Sequence, residues 1–334
     1  MTALVSVVVV NWNGRAYLQK CLEALAAQTY PNVEVIVVDN GSTDDSVGWV
    51  QAHFPTARVI LNSENRGFAA ANNQGIRVGR GEYVALLNND AWPEPTWLAQ
   101  LVAAMEGERR AGMAASKMLF AHQPGVINST GICVDRGGIS WDRQGGAPDD
   151  SEGEDIVPVF GACAGAALYR QVMLDQVGLF DEDFFAYLED VDLAWRARWQ
   201  GWEAVYAPAA HVQHVHSGTA VEGSPFKTYW LSRNKIALLV KNYPAPQVWR
   251  YLPVIVFYEI LSQGYALLKG RGLAALRGRL AGLARLPQLL RQRRQVMQNA
   301  PISAREVFVC LEPAAWPCQV TTRYTHLGQP QRQP

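Results

Sequence analysis

The chain has 334 residues, of which 49% are hydrophobic, 18% charged and 10% aromatic. This composition is typical of a globular protein with a large core and excludes a wholly disordered chain. The formal net charge is zero, so the overall excess of basic residues found in many nucleic-acid-binding proteins is missing. Five scattered cysteines without a CxxC pair favour a reducing compartment such as the cytoplasm. The length fits one large α/β domain with an appendage.

Short apolar runs alternate with helical spacing in the first part of the chain. The runs predict buried strands over residues 5–10, 33–38, 58–61 and 83–87, and the spacing predicts helices over 15–28 and 72–78. Ser42 or Thr43 is predicted to cap one more helix between the second and third strands. This alternation predicts an α/β fold with a mostly parallel sheet and helices on both faces.

Polar side chains follow three of these strands. Asn11 and Asn13 follow the first strand, Asp39 follows the second, and Asn89 and Asp90 follow the fourth. Ligands of open α/β sheets bind beyond the carboxyl ends of the strands, so we expect one shared site. Asp39 can hydrogen-bond a base or a ribose, or it only closes an Asx turn. Asp90 offers an oxygen ligand for Mg²⁺ or Mn²⁺ on a diphosphate, with a turn as the alternative.

A second group of candidate residues lies further along the chain, after an irregular loop or small hairpin predicted over residues 128–158. Gly161 opens a run of small residues that permits close approach of the backbone to a ligand. Glu189 and Asp190 stand at the entry of a predicted helix, where the helix dipole favours ionised carboxylates. One of them can deprotonate an attacking hydroxyl beside a metal-bound diphosphate, and the other can orient it or cap the helix.

A strand is predicted over residues 205–216, with His214 and His216 on one face and His211 on the other. A lone histidine in a strand is usually a hydrogen-bonded structural residue. His214 is the candidate metal ligand because Asp90 gives it a partner, and His216 is the fallback. Asp192 and Arg196, four residues apart, are predicted to pair on one face of the helix that follows Asp190.

Residues 241–300 contain ten Lys or Arg and one acid, a net charge of +9, which leaves −9 on the rest of the chain. The apolar stretch 249–268 is interrupted by Pro253, Glu259 and Gln263, so we interpret it as a poor membrane-spanning helix. Leucines follow at helical spacing among arginines, at positions 273, 276, 280 and 283. This pattern favours a basic amphipathic segment on an anionic membrane surface, and a helix packed on the preceding domain is the alternative.

Taken in order, these motifs resemble family 2 glycosyltransferases with the GT-A fold, especially the bacterial branch that includes rhamnosyltransferases of cell-surface polysaccharide synthesis. The matching segments are VSVVVVNWNG at 5–14, VVDNGSTD at 37–44, NRGFAAANNQG at 65–75, LLNND at 86–90, GLFDE at 178–182, EDVDL at 189–193 and SRN at 232–234. The resemblance implies a GT-A (Rossmann-like) nucleotide-sugar glycosyltransferase domain over residues 1–240. A helical segment over 241–300 and a C-terminal tail over 301–334 follow it.

The resemblance also implies roles for single residues. Asp190 would be the catalytic base, with Glu189 beside it, and Asp90 would bind the metal together with His214. The motif has Asn88 where the family's DxD motif has its first acid, which leaves Asp90 as the acidic metal ligand. The nucleotide sugar would contact a larger set of side chains and one glycine: Asn11, Asn13, Asp39, Arg66, Asn89, Asp90, Gly161, Arg233 and Asn234.

These observations predict an inverting glycosyltransferase that moves a sugar from a nucleotide-diphosphate sugar to an acceptor hydroxyl by single displacement. The family branch implies cell-surface glycan synthesis, a donor such as dTDP-rhamnose, and a glycan or lipid-linked acceptor at the cytoplasmic face of the inner membrane. One alternative is a nucleotidyltransferase that makes the sugar nucleotide, although Asn11-Trp-Asn-Gly-Arg15 is not the Gly-rich basic loop of that class. A non-catalytic nucleotide-sugar-binding protein is the other alternative.

Overall fold

The computed structural model describes residues 2–151, 155–215, 223–298 and 300–316. The strands are β1 (Val5–Asn11), β2 (Val33–Asp39), β3 (Arg58–Leu61), β4 (Tyr83–Asn88), β5 (Ala91–Pro93), β6 (Ala111–Phe120), β7 (Ile127–Ser129), β8 (Ile132–Val134), β9 (Ser140–Asp142), β10 (Val157–Val159), β11 (Ala166–Arg170) and β12 (Glu203–His214). The helices are α1 (Arg15–Ala26), α2 (Ser46–His53), α3 (Phe68–Val78), α4 (Trp97–Glu106), α5 (Gln171–Val177), α6 (Glu189–Trp199), α7 (Pro225–Asn242), α8 (Ala245–Leu268), α9 (Gly272–Ala284), α10 (Leu286–Gln298) and α11 (Ala304–Val309). Short 3₁₀ turns cover Asp149–Ser151 and Glu182–Phe184.

One large sheet organises the fold, in the strand order β10-β12-β6-β11-β4-β1-β2-β3, with β5 on β12 and β7 on β6. Strands β3, β2, β1 and β4 run parallel, and β12 pairs with β6 in parallel. Strand β11 lies antiparallel between β4 and β6. The predicted α/β fold with a mostly parallel sheet is confirmed. Strands β8 and β9 form a hairpin in the segment predicted as a loop or small hairpin.

Both faces of the sheet are covered by helices. Alternate side chains of each strand point to opposite faces, so each strand contributes apolar residues to both. In β1, Val8 packs with α3 and α6 in one buried cluster. Val7 and Val9 pack with α1 and α4 in the other cluster. Gly75 lets α3 approach β1, since a Cβ atom there would lie 2.3 Å from a methyl group of Val8.

Two helices begin where the sequence did not predict them. Helix α2 begins at Ser46, so neither Ser42 nor Thr43 is its cap. The hydroxyl of Ser42 instead accepts hydrogen bonds from the backbone N–H of Asn13 and the side-chain amide of Asn11. Helix α3 begins at Phe68, earlier than predicted, directly after Gly67 with its φ of 85°.

The C-terminal helices differ from the prediction in one respect. Helix α8 continues through Pro253 instead of breaking there. Within the described residues, Gln247–Leu268 is the one helix whose length and apolar composition would allow it to cross a membrane, with a mean hydropathy of 1.3. Its neighbour α9 packs on α7.

The end of the described chain returns to the sheet domain. Val307 of α11 is buried in a core cluster, and the backbone of Glu312 pairs with that of Asp135. The part of the predicted tail up to residue 316 therefore packs on the domain, while 317–334 and His216 lie outside the described residues.

Candidate functional site

The loops after β1 and β2 are joined by side-chain hydrogen bonds. Asn11 lies opposite Asp39 in the parallel pair, and its amide donates to the Asp39 carboxylate at 3.3 Å. The other Asp39 oxygen accepts from the backbone N–H of Ser42 at 2.9 Å. Asn13 adopts a φ of 50° and accepts from the backbone N–H of Thr43 at 2.7 Å. These bonds bring Asn11, Asn13 and Asp39 together, and they also give Asp39 a bond to the backbone of its own loop, three residues on.

The loop after β4 joins the same cluster. The Asn89 side chain is buried and donates to the amide oxygen of Asn11 at 2.8 Å. A Cβ atom at Gly14 would lie 2.2 Å from the side-chain nitrogen of Asn89, so a larger residue there would displace this amide. Arg66 is exposed, and its backbone N–H donates to Asn40, the residue after Asp39. The polar residues predicted from three separate strand ends therefore lie around one edge of the sheet.

Asp90 and His214 form a buried pair beside this cluster. An Asp90 carboxylate oxygen lies 3.2 Å from Nε2 of His214, and both side chains are more than nine-tenths buried. On the other side of the ring, Nδ1 lies 2.7 Å from the amide oxygen of Asn128. An amide oxygen only accepts, so this contact favours a proton on Nδ1, and the side-chain amide of Asn88 also lies 3.3 Å from Nε2. His211 lies apart from this pair, 3.4 Å from Glu94.

This pair fits a divalent cation in part. A carboxylate oxygen and an imidazole nitrogen are common protein ligands of divalent ions. Within the described ranges, no group of three or more His, Cys, Asp or Glu is arranged to hold a metal. Asp90 and His214 would thus supply two ligands, and further oxygens would have to come from a bound diphosphate or water.

Asp190 and Glu189 begin helix α6 at the same edge of the sheet. The Asp190 carboxylate accepts from the backbone N–H groups of Ala164 at 3.2 Å and Val191 at 2.8 Å. Burial raises the pKa of Asp190 to about 6, against the lowering effect of the Ala164 hydrogen bond. Burial and the charge of Asp190 raise the pKa of Glu189 well above its usual range. Asp190 is therefore the more readily ionised of the two acids.

The stretch of small residues connects the acid pair to the Asp90 loop. The backbone N–H of Ala164 donates to the Asp190 carboxylate, and the carbonyl of Gly165 accepts from the backbone N–H of Asn88 at 2.8 Å. Gly161 also has a packing role. It is buried, and a Cβ atom there would lie 2.5 Å from Cβ of Ala194 on α6. The glycine allows close packing of this segment on α6, and its contact with the donor stays a prediction.

The loop that leads into α6 is held by the two residues predicted to face the diphosphate. Phe185, Tyr187 and Leu188 all have positive φ angles, between 61° and 72°, which is strained for residues with side chains. Asn234 is fully buried, and its amide donates to the carbonyls of Phe184, Ala186 and Tyr187 at 2.8–2.9 Å.

Arg233, the neighbour of Asn234 on α7, contributes to the same support. Its guanidinium donates to the carbonyl of Asp183 and to the side-chain oxygen of Asn234, both at 2.7 Å. The amide of Asn234 thus supports the loop before Asp190, and its contact with a diphosphate stays a prediction. For Arg233 the same bonds give a structural role, and contact with a diphosphate stays a prediction.

Asp192 lies on the opposite side of α6 in a buried ionic cluster. Its carboxylate lies 2.9 Å from Arg196, as predicted, and 2.8 Å from Lys241 on α7. Asn242 donates to it at 2.8 Å. Burial would raise the pKa of Asp192, but the charges of Lys241 and Arg196 outweigh it and lower the pKa to about 2.

Sequence reasoning missed several of these partners. Asn128 orients His214, and Lys241 and Asn242 anchor α6, but each lies far along the chain from the residue that it contacts. Asn128 fell in a segment predicted to be irregular, and Lys241 was counted as part of a basic surface segment. No spacing signal in the sequence marks such long-range contacts.

The proteins similar to this chain include several that are named as glycosyltransferases. The model of glycosyl transferase family 2 matches residues 6–178. The glycosyltransferase GlyG of Streptococcus pneumoniae (strain TIGR4) is 45% identical over 93 residues, which are 27% of this chain and 31% of that protein. The N-acetylglucosaminyl-diphospho-decaprenol L-rhamnosyltransferase of Mycobacterium tuberculosis (strain H37Rv) is 29% identical over 241 residues, covering 64% of this chain and 76% of that protein. The chain spans only 25–31% of the length of the first curated relatives that it matches.

A solved structure gives the fold. The mannosyltransferase PcManGT from Pyrobaculum calidifontis, in complex with GDP-Man and Mn²⁺, superposes with a TM-score of 0.53 at 18% identity. The match covers 93% of this chain and 84% of that one. The GT-A fold is thereby confirmed. Since the family model matches more than half of the chain, this protein belongs to glycosyl transferase family 2.

Proposed function

We propose that the protein is an inverting glycosyltransferase that moves a sugar from a nucleotide-diphosphate sugar to an acceptor hydroxyl. The observation that carries this proposal is the position and acidity of Asp190. Its carboxylate stands at the same edge of the sheet as the Asn11–Asp39 cluster, with a pKa raised to about 6 by burial. A general base with a pKa just below neutrality is mostly ionised at pH 7 and still accepts a proton from an attacking hydroxyl.

The difference between the two acids supports single displacement. In a double displacement, an ionised carboxylate must attack the sugar before the acceptor does. Glu189 is the neighbouring acid, but its pKa is raised well above the usual range, which favours the protonated form. Asp190 then acts as base and the configuration at the anomeric carbon inverts. Nuclear magnetic resonance of the product's anomeric proton checks this, and retained configuration would contradict it.

A divalent cation, Mg²⁺ or Mn²⁺, would be held by Asp90 and His214. When bound, such a cation neutralises the charge that develops on a departing diphosphate. With two protein ligands, cation binding should be weak alone and stronger with the donor. Calorimetry should show donor affinity falling at least about tenfold with EDTA, and equally in Asp90→Ala and His214→Ala. His211→Ala, on the other face of β12, is the matched control. Equal donor affinity with and without the cation would contradict the metal site.

The substrates are proposed from the relatives. One relative is named as a rhamnosyltransferase acting on a diphospho-decaprenol acceptor. This supports a lipid-linked or glycan acceptor, a deoxyhexose donor such as dTDP-rhamnose, and a role in cell-surface glycan synthesis. We place the enzyme at the cytoplasmic face of the inner membrane, peripherally bound to an anionic surface. The proposed domains are residues 1–240 for catalysis and 241–300 for the basic helical segment, with 301–334 following.

A panel of nucleotide sugars tests the proposed activity and its two rivals together. The protein should release a nucleoside diphosphate from one of the donors, faster with acceptor present. Pyrophosphate release from a nucleoside triphosphate and a sugar phosphate would instead indicate a nucleotidyltransferase. Tight binding of a donor without turnover, with acceptors of both classes present, would indicate a non-catalytic binding protein.

A further inference from the structure

The exposed apolar side chains of this protein are concentrated in one region. In the part of the chain that the structure describes, twenty-two large hydrophobic side chains are exposed, and fifteen of them lie between Trp249 and Leu290. Exposed apolar side chains scattered singly are common, but a contiguous group this large marks an interaction surface. The two helices that carry most of them, α8 and α9, lie side by side.

Helix α9 packs on the protein through its small residues and exposes its leucines. Gly278 and Gly282 are buried against α7, and Cβ atoms there would lie 2.3 Å and 2.9 Å from backbone oxygens of α7. The leucines lie on the other side of the helix and are each about half exposed: Leu273, Leu276, Leu280 and Leu283. The helix therefore packs on the domain, as one alternative expected, yet its leucine face is left uncovered.

One side of helix α8 contacts the rest of the protein. Its Glu259 pairs with Lys235 of α7 at 2.6 Å and with Arg279 of α9 at 2.8 Å. The hydroxyl of Tyr258 on the same side donates to the carbonyl of Ala315. The opposite side is apolar and exposed, with Ile260 65% and Phe257 49% accessible. A helix held to its own domain by a partly buried charge cluster near its middle is poorly placed to cross a bilayer.

Basic residues accompany this apolar surface. Of the ten Lys and Arg between 241 and 300, half are exposed: Arg250, Lys269, Arg277, Arg291 and Arg294. The others contact the protein itself, such as Lys241 with Asp192 and Arg279 with Glu259. Exposed leucines beside exposed arginines match the two requirements of interfacial binding, apolar insertion and attraction to anionic lipid headgroups.

We propose that the outer sides of α8 and α9 form a membrane-docking face that lies flat in the interface of an anionic bilayer. In this arrangement α8 does not span the membrane. The leucines of α9 and the outer side chains of α8 enter the headgroup boundary, while Arg250, Lys269 and Arg277 contact lipid phosphates. The inference concerns a surface separate from the Asp190 site, so it stands or falls independently of the proposed transfer reaction.

Vesicle flotation of the full chain tests the docking face. The protein should float with vesicles of equal parts phosphatidylcholine and phosphatidylglycerol at low salt, and much less with phosphatidylcholine alone or at high salt. Leu276→Glu with Leu280→Glu should lower the bound fraction about tenfold or more. Both leucines are exposed in the free protein, so the unfolding temperature should not change. The matched control is Val172→Glu, an exposed apolar residue on α5, which should float as the unmodified protein does.

Three results would overturn the proposal. If the double variant floats as well as the unmodified protein, the leucine face does not touch lipid. If the bound protein resists extraction by alkaline carbonate, α8 spans the bilayer. If the lipid-free protein forms a dimer that the double variant abolishes, and neither protein binds vesicles, the face is an interface between two copies of the chain.

Discussion

The two sides of helix α6 place carboxylates in opposite environments. On one side, Asp190 is held by backbone N–H groups, and burial raises its pKa to about 6. On the other side, Asp192 lies between Arg196 and Lys241, and its pKa is lowered to about 2. The comparison separates an acid suited to exchange a proton near neutral pH from one that stays ionised and holds the helix in place.

The largest expected effect is a loss of stability when Asp192 is replaced. Asp192→Ala should lower the free energy of unfolding by about 3–5 kcal/mol, because it leaves the buried charges of Arg196 and Lys241 without their carboxylate. Chemical denaturation measures the loss. Asp45→Ala removes an exposed carboxylate whose partner Arg15 is 3.7 Å away, and it should change stability by less than about 1 kcal/mol. If the two variants were equally stable, Asp192 would not anchor the helix.

Asp190→Asn should act on transfer and leave the fold intact. Loss of general-base help should slow transfer about 10²-fold or more, equivalent to about 2.7 kcal/mol in the activation barrier. Donor affinity by calorimetry should stay within about twofold, since the neutral isostere keeps the size of the side chain and its oxygen can still accept one of the two backbone hydrogen bonds. Glu189→Gln is the matched control, and because the acid it replaces favours the protonated form, it should slow transfer far less. If turnover were unchanged in Asp190→Asn, the catalytic base would be Glu189 and not Asp190.

Asn234 tests whether the strained loop positions Asp190. Asn234→Ala removes three hydrogen bonds to the loop and should lower kcat about tenfold, with little change in the KM of the donor. Asn234→Ser, which retains one donor, should recover part of the loss. If the originally predicted contact with the diphosphate were correct, the KM of the donor would rise and kcat would change less.

The sequence was sufficient to predict the features that follow from a local pattern. The apolar runs ending in Asn11, Asp39 and Asn89 predicted parallel strands, and the geometry of parallel strands brings their ends to one edge. It was insufficient where the answer depends on distant contacts. Asn234 contacts carbonyls 47–50 residues earlier in the chain, which no periodicity indicates. In α9 the sequence showed a leucine stripe, but only packing could show that the glycines face the protein and the leucines face outward.

The smallest expected effect is a pH dependence in which the two acids act in opposite directions. Asp190 must be ionised to accept a proton, so kcat should rise with pH and reach half its plateau near pH 6.

The free energy of unfolding depends on the same pKa shift of Asp190, but in the opposite direction. The pKa of Asp190 is raised in the folded state from its ordinary 3.8, so its protonated form stabilises the fold below about pH 4, and this contribution is lost as pH rises to about 6. The pKa of Asp192 is lowered, so its contribution is present above about pH 4 and is lost as pH falls toward 2. Unfolding measured from pH 4 to 7 should therefore show the unmodified protein losing stability relative to Asp190→Asn, which has no acid to ionise there. A constant difference between the two proteins across this range, with a flat kcat, would mean that Asp190 has an ordinary pKa and that its surroundings on α6 do not differ from those of Asp192 in the way described.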